Sequence, residues 1–318
     1  MTIKLFPMEE MTYTPFEHTK GVNFLREHGI VLTNDLREAD LLLARRWRAG
    51  TLTELLFRYR ARKPLLIWTL EPRFCTLSKD LYQGPFGIPR IHVMDVYTKN
   101  VYLCNYSIHG YNISKKLPLI TPSDLTDKQR KAVALAGYSA NRRRQRLVMH
   151  GVDIDLVLPR QELILEGHRR KMVDVHGRNW PAGIAIGESR GGDYTSAKMA
   201  VLKNYRFNIC MENTDWDYYV TEKIWEAITA RCLPIYRGGK EKIYEDFERG
   251  SFVDPNDFPN AEKLLDHVAS MSDTEYCDRV NSCINTYNKI WERGDYEAQY
   301  RRTAEAIVHR VREIVASG

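Results

Sequence analysis

A chain of 318 residues has room for about two domains of ordinary size. With 43% hydrophobic and 28% charged residues it has the make-up of a globular chain with a sizeable core, which excludes the small folds that depend on disulfides or structural metal. The net charge of +6 suits an anionic partner, such as a nucleotide diphosphate, a membrane surface or nucleic acid, but it is small beside 47 basic and 41 acidic side chains and is also what a solvated surface carries.

The six cysteines (Cys75, Cys104, Cys210, Cys232, Cys277 and Cys283) form no C-x-x-C pair and read as reduced core thiols. The N-terminal stretch Met1-Thr2-Ile3-Lys4 opens no signal-peptide core, and no run approaches the roughly 18 apolar residues of a membrane span. A cytoplasmic protein is expected, with peripheral attachment to a membrane left open. Two Asn-x-Ser sequons, at Asn105 and Asn112, read as chance.

Along the chain, strand-like and helix-like signals alternate. Residues 3–6 form a short apolar strand, and 16–28 a helix stopped by Gly29. Leu41-Leu42-Leu43 marks a buried strand within 40–44. Residues 52–62 repeat apolar positions at helical spacing. Further strands follow at 65–68 (Leu65-Leu66-Ile67-Trp68) and 91–94. Residues 113–130, polar and holding Pro118 and Pro122, read as a linker.

A second alternating block succeeds it. A strand at 132–136 precedes the basic run Arg142-Arg143-Arg144. A helix is expected at 163–170, a strand at 172–176 ending on Gly177, a strand at 207–211, a helix at 222–231 and a strand at 233–236. Helices then fill about 260–270, 273–292 and 296–316. Continuous apolar strands alternating with helices predict parallel sheets covered on both faces, and hence an α/β fold of two Rossmann-like domains. The expected division is 1–125, 126–295 and a last helix, 296–318, crossing back onto the first domain. Ligands of such sheets bind beyond the carboxyl ends of the strands.

The most informative stretch follows the strand at 207–211. A polar loop, Glu212-Asn213-Thr214-Asp215-Trp216-Asp217-Tyr218, runs into Tyr219-Val220-Thr221-Glu222-Lys223, where a helix starts. Thr221 suits the N-cap, and Glu222 suits the positive first turn. A helix N-terminus beside a lysine attracts phosphate, and a carboxylate there can accept both hydroxyls of a ribose. Ordinary capping explains Thr-Glu-Lys equally well.

The wider pattern resembles the donor-binding signature of the α-1,3-fucosyltransferases, glycosyltransferase family 10. It agrees at Phe207, Glu212, Asn213, Thr214, Tyr219, Val220, Thr221, Glu222, Lys223, Ala227, Pro234 and Gly238. It departs at Tyr218, where aspartate is frequent, with Asp217 one place earlier. The resemblance implies the GT-B arrangement, two Rossmann-like domains facing across a cleft. It implies GDP-fucose as donor, a glycan containing N-acetylglucosamine as acceptor, and inversion at the anomeric carbon. Glu222 would hold the ribose, Lys223 the phosphates, and Asn213 and Tyr219 would close the loop over the sugar.

The resemblance also asks for an upstream arginine on the diphosphate and a V-D-V-x-G-R strand. Val173-Asp174-Val175-His176-Gly177-Arg178 supplies the strand, and counting back over one helix reaches Arg160. Arg142, Arg143 and Arg144 are its rivals. The base that takes the acceptor's proton would be Glu71, at the end of Leu65-Leu66-Ile67-Trp68-Thr69-Leu70-Glu71-Pro72.

Asp153-Ile154-Asp155 and Asp215-Trp216-Asp217 have the form of a D-x-D metal clamp, but such pairs are common, and a helix N-terminus with Lys and Arg can neutralise a diphosphate without a cation. No metal and no cofactor beyond the donor substrate are expected, and no nucleic acid, since the basic run lacks interleaved aromatics. The readings kept beside a fucosyltransferase are a transferase of another GDP-sugar and a non-catalytic glycan- or nucleic-acid-binding module.

Overall fold

A computed structural model describes residues 2–12, 14–45, 63–69, 72, 81–82, 90–95, 105, 113–141, 147–149, 151–188, 194–294 and 296–317. The chain divides into two compact units, one of Met1–Leu103 with Glu297–Gly318 and the other of Cys104–Tyr296. Asn105 and residues 113–125, assigned from sequence to the N-terminal domain, thus group with the second unit.

In the first unit, strands β1 (Ile3–Pro7), β2 (Ile30–Leu32), β3 (Leu41–Ala44), β4 (Leu65–Thr69), β5 (Leu81–Tyr82) and β6 (Ile91–Asp95) form one sheet in the order β2-β1-β3-β4-β6-β5. All neighbours are parallel except β5 against β6. Leu41, Leu42, Leu43, Leu65, Leu66, Ile67 and Trp68 are all buried, as strands covered on both faces require. Helix α1 (Thr19–Glu27) links β1 to β2, and Gly29 leaves it at φ 76°, a left-handed exit that glycine takes without strain. The helical reading of 52–62 lies outside the described residues.

In the second unit, β7 (Gln129–Leu135), β10 (Val173–His176), β11 (Ala185–Gly187), β12 (Tyr205–Ile209) and β13 (Leu233–Ile235) make an all-parallel sheet in the order β11-β10-β7-β12-β13. A small hairpin, β8 (Val148–Met149) with β9 (Val152–Asp153), stands apart from it. The helices are α2 (Val157–Arg169), α3 (Tyr194–Leu202), α4 (Glu222–Thr229), α5 (Ala261–Ser270) and α6 (Asp273–Arg293). Strand order reverses direction at β7: the chain first builds outward through β10 and β11, then returns to add β12 and β13 on the other side. The carboxyl ends of β7 and β12 are therefore the topological switch point, where a doubly wound sheet opens a crevice.

Residues 113–130 are not a free linker. Ile113, Leu117, Ile120 and Leu125 are buried in the second unit's core. Two asparagines on α6, seven residues apart and so on one face, clasp the extended segment. Asn288 accepts from Leu117 N at 2.8 Å and donates to Leu117 O at 2.9 Å. Asn281 does the same at Ile120, at 2.8 and 2.9 Å. Of the two sequons, Asn105 is buried, its amide donating to Lys242 O at 2.8 Å, which leaves no room for a glycan. Among the described residues, Cys210, Cys232, Cys277 and Cys283 are buried free thiols. No described helix is long and apolar enough to cross a membrane.

The last helix, α7 (Tyr296–Ala316), belongs to the first unit. Arg312 donates to His28 O at 2.8 Å, and Arg90 to Ser317 O at 2.9 Å. Arg310 Nη2 lies 3.3 Å from His92 Nδ1 on β6. Burial, then the charges of Arg310 and Arg90, push the His92 imidazole down to about 4. The fold therefore holds His92 neutral, and the unfolded chain binds the extra proton between about pH 6.5 and 4. That stability is complete above pH 6.5 and is lost as pH falls through the window. We expect melting temperature to drop between pH 6.5 and 4, and His92→Gln to flatten that part of the profile, measured by thermal unfolding in buffers of constant ionic strength.

Candidate functional site

The site is built where β7 and β12 end. After β12 the chain passes through Cys210 and Met211 to Glu212, a carboxylate only 2% exposed. Burying such a group is expensive unless donors surround it. Three converge here: Thr221 N at 2.7 Å and Thr221 Oγ1 at 2.9 Å on Oε1, and Lys223 Nζ at 2.8 Å on Oε2. The Lys223 ammonium also donates to Thr221 Oγ1 at 2.6 Å. Burial opposes the lysine's charge, but Glu212 and Glu222 outweigh it and raise the Lys223 pKa.

Thr221 does stand at the N-cap of α4, yet its side chain makes no capping bond to the helix; the hydroxyl is committed to Glu212 and Lys223 instead. Glu222 opens the helix, its side chain a quarter exposed. It has Lys198 Nζ at 3.7 Å and Lys223 Nζ at 3.9 Å.

Arg160 is 7% exposed and lies in the first turn of α2, which begins six residues earlier than sequence periodicity suggested. Pro159 stands beside it in that turn, a place where proline is tolerated. The guanidinium reaches the chain leaving β12, donating to Met211 O at 2.7 Å and Asn213 Oδ1 at 3.0 Å. Its neighbour Gln161 pins the chain leaving β7, accepting from Ser139 N at 2.8 Å and donating to Ser139 O at 3.2 Å. Two consecutive residues of one helix thus hold both rims of the switch point. Gly177, the end of the V-D-V-x-G-R strand, has its α-carbon against the Ala136 carbonyl: an added Cβ would lie 1.9 Å from that oxygen.

The structure thus brings together Arg160, Asn213, Glu222 and Lys223. Tyr219 lies in the same loop but is fully buried, so its ring packs inside the loop rather than forming an open cover. Glu71 and Arg142, Arg143 and Arg144 lie outside the described residues. Tyr218 occupies the left-handed region at φ 56°, where a short polar residue is easier to place than an aromatic one. Lys242, 4.4 Å above the ring, offsets part of that strain, and pairs with Asp217 at 3.4 Å.

Both D-x-D pairs have protein partners. Asp155 accepts from the first amides of α2, Val157 N at 3.2 Å and Leu158 N at 2.9 Å, and Asp153 accepts from Asp155 N at 3.0 Å. Asp215 accepts from Lys240 N at 2.5 Å. Beside it, burial pushes the Glu241 carboxyl up to about 8, with the neighbouring Asp215 adding to the effect.

Sequence reasoning missed Glu212 as the organiser of the loop and missed Lys198 altogether. An acidic residue at the end of an apolar strand, nine residues before a threonine at a helix start, was the available signal for the first. Nothing local marked the second.

This unit is a doubly wound α/β domain with a mixed-charge cluster at its switch point. Residues 154–280, which contain that cluster, match glycosyltransferase family 10 (fucosyltransferase), C-terminal part. The alpha-(1,3)-fucosyltransferase FucT of Helicobacter pylori is 41% identical over 71 residues, which are 22% of this chain and 15% of that protein. Alpha-(1,3)-fucosyltransferase 4 of Mus musculus is 29% identical over 150 residues, 44% of this chain and 31% of that protein. The chain thus spans under a third of the length of these two relatives. A solved alpha1,3-fucosyltransferase structure aligns over 92% of this chain and 90% of its own, with a TM-score of 0.49 and 17% identity.

Glu212→Ala is expected to cost about 3–5 kcal/mol, the penalty for stranding a buried partner charge, whereas Thr221→Ser, which keeps the hydroxyl, should cost less than about 1 kcal/mol. Denaturant unfolding of both variants measures this. Equal stability of Glu212→Ala and the parent would show that the carboxylate does not organise the loop.

Proposed function

We propose that this chain is an inverting glycosyltransferase that moves L-fucose from GDP-fucose to a hydroxyl of a glycan containing N-acetylglucosamine. The observation that carries the reading is the cluster of Arg160, Asn213, Glu222 and Lys223 at the switch point, inside the segment that matches the fucosyltransferase family.

The chemistry of the cluster suits a nucleoside diphosphate. Lys223 has three N–H groups, of which two meet Glu212 and Thr221, and its ammonium lies at the positive end of α4. A diphosphate placed there takes its charge compensation from the ammonium and the helix start together. Glu222 accepts hydrogen bonds from the ribose hydroxyls, and Asn213 contributes an amide at the loop's entry. Arg160 holds that loop in place and lends a positive field from beneath it.

In the transfer step, Glu71 is the residue proposed to take the proton from the acceptor hydroxyl as its oxygen attacks the anomeric carbon of fucose. The bond from that carbon to the diphosphate breaks with its electrons passing to GDP. Lys223, Arg160 and the α4 N-terminus stabilise the negative charge that develops on the departing phosphate, where fixed electrostatics contribute most.

Saturating GDP is expected to raise the melting temperature by several degrees, since a ligand at 100 times its Kd stabilises by about 2.7 kcal/mol. Incubation with GDP-fucose and a panel of glycans should release GDP only with acceptors bearing N-acetylglucosamine. Lys223→Ala should lower kcat/KM by about 100-fold or more. Glu71→Gln should lose turnover by about 100-fold or more while keeping the GDP shift. If neither GDP nor GDP-fucose moves the melting temperature, the reading fails.

A further inference from the structure

We infer that Glu241 is a positioning residue, a carboxylic acid whose proton bonds to Asp215 and docks the loop after β13 onto the 212–218 loop of the site. The inference rests on the GDP-sugar reading of that site. Asp215 follows β12 and Glu241 follows β13, and the two strands are neighbours, so both carboxylates lie beyond the carboxyl ends of the sheet. Asp215 stands two residues after Asn213, a proposed donor contact. Among the described residues, no lysine or arginine side chain pairs with either carboxylate.

Backbone bonds bring the pair together. Lys240 N donates to Asp215 Oδ1 at 2.5 Å, and an added Cβ at Gly239 would lie 2.6 Å from that oxygen, so the loop's main chain lies directly on the Asp215 carboxylate. Gly238 N, one step earlier, donates to Asp254 Oδ2 at 3.1 Å, which fixes the other end of the turn. On its far side, Asp215 N donates to Ile154 O at 2.9 Å, just ahead of α2. The segment that carries Asn213 is therefore held between the approach to α2 and the 238–241 loop.

Glu241 ends that loop at 2% exposure. Its Oε1 accepts from Gly239 N at 2.8 Å, and its Oε2 is buried without a partner. An anion in that place is poorly solvated and has a second carboxylate of like charge beside it. A proton on Glu241 removes both costs: the neutral acid becomes a donor, and Asp215 is its acceptor. The other titratable group near Glu241 is the fully buried Tyr236 at the end of β13. Burial, then Glu212 and Glu241, hold its hydroxyl well above the ordinary range, so it brings no charge to offset the anion. Lys242, next in the chain, is turned to Asp217. Burial is the main cause of the Glu241 pKa of about 8; the Gly239 amide opposes the rise and Asp215 adds to it. Against an ordinary value of 4.5, the stability that this proton supplies is complete below about pH 4.5 and is lost as pH rises through about 8.

The test is thermal unfolding and GDP calorimetry on the full chain, the parent beside Glu241→Gln, whose amide keeps a neutral donor at every pH. The parent should lose melting temperature relative to the variant as pH rises through about 8. The variant's GDP affinity should match the parent's within about twofold at about pH 7 and exceed it about tenfold at about pH 9, the value of one hydrogen bond to a charged group. Titration of the nucleotide itself cancels in that ratio. Asp215→Asn removes the neighbouring charge, should move the melting step to lower pH, and serves as the working variant if Glu241→Gln does not fold. Parallel melting profiles for the parent and Glu241→Gln, or an unmoved step in Asp215→Asn, overturn the protonated pair. A GDP ratio that stays near one at the higher pH while the melting step persists overturns the positioning role. Absence of GDP binding by the parent at the lower pH defeats the underlying reading of the site instead, and the role of Glu241 in it.

Discussion

A carboxylate buried at the end of a central strand sets most of what surrounds it. Glu212 leaves β12 at 2% exposure, where an unsatisfied charge would cost several kcal/mol. Its donors can come only from a segment able to fold back over nine to eleven residues, and Thr221 and Lys223 do so. The start of α4 is therefore fixed relative to the sheet by an ion pair and not by packing alone. Once that start is fixed, the path of 213–220 follows: a bridge between Asp155 and Thr214 on one side, Tyr219 fully buried, and a left-handed turn at Tyr218.

The second constraint comes from α2. Arg160 and Gln161 are adjacent, yet one holds the exit of β12 and the other the exit of β7. Adjacent helical side chains diverge by about 100°, which suits two targets on either side of a crevice. Deleting either would loosen one rim and leave the other in place. The site thus rests on a rigid pair of clamps before any ligand arrives, as preorganised electrostatic sites need.

Much of this was legible in the sequence, for reasons that can be traced. Strands such as Leu65-Leu66-Ile67-Trp68 are continuous apolar runs because both faces of a parallel sheet are covered, and the apolar spacing of α4 is strong because its inner face, Ile224, Trp225, Ala227 and Ile228, is buried. What escaped was local structure without a local signal. β2 and β11 are three-residue edge strands, too short for any periodicity. α3, Tyr194–Leu202, mixes small, polar and apolar residues without a clear stripe, so Lys198 lay on no expected element. The segment 113–130 looked like a linker because its prolines and polar residues obscured four buried side chains. Asn288 and Asn281, which bond the backbones of Leu117 and Ile120, lie more than 160 residues away from them. Arg160 was reached by position along the chain, but its bonds to the loop after β12 could not be.

The structure also bears on one of two explanations that the sequence left equal. Thr-Glu-Lys at a helix start reads as capping or as an anion site. Capping requires the Thr221 hydroxyl to face the helix amides; instead it lies between Glu212 and Lys223, with no capping bond. Worth about 1 kcal/mol where it occurs, such a bond is a cheap gain to forgo. Thr221 gives it up to seat the Lys223 ammonium beside a helix start whose positive end is left without that side-chain acceptor. Lys223 is at once neutralised by a buried carboxylate and held about a fifth exposed. A surface lysine at this point would need no such support, because water would solvate it. A lysine held in one fixed place does, and the Glu212–Thr221–Lys223 triad is the arrangement that supplies it; in the proposed transfer that is the place from which it would meet the charge of the departing phosphate.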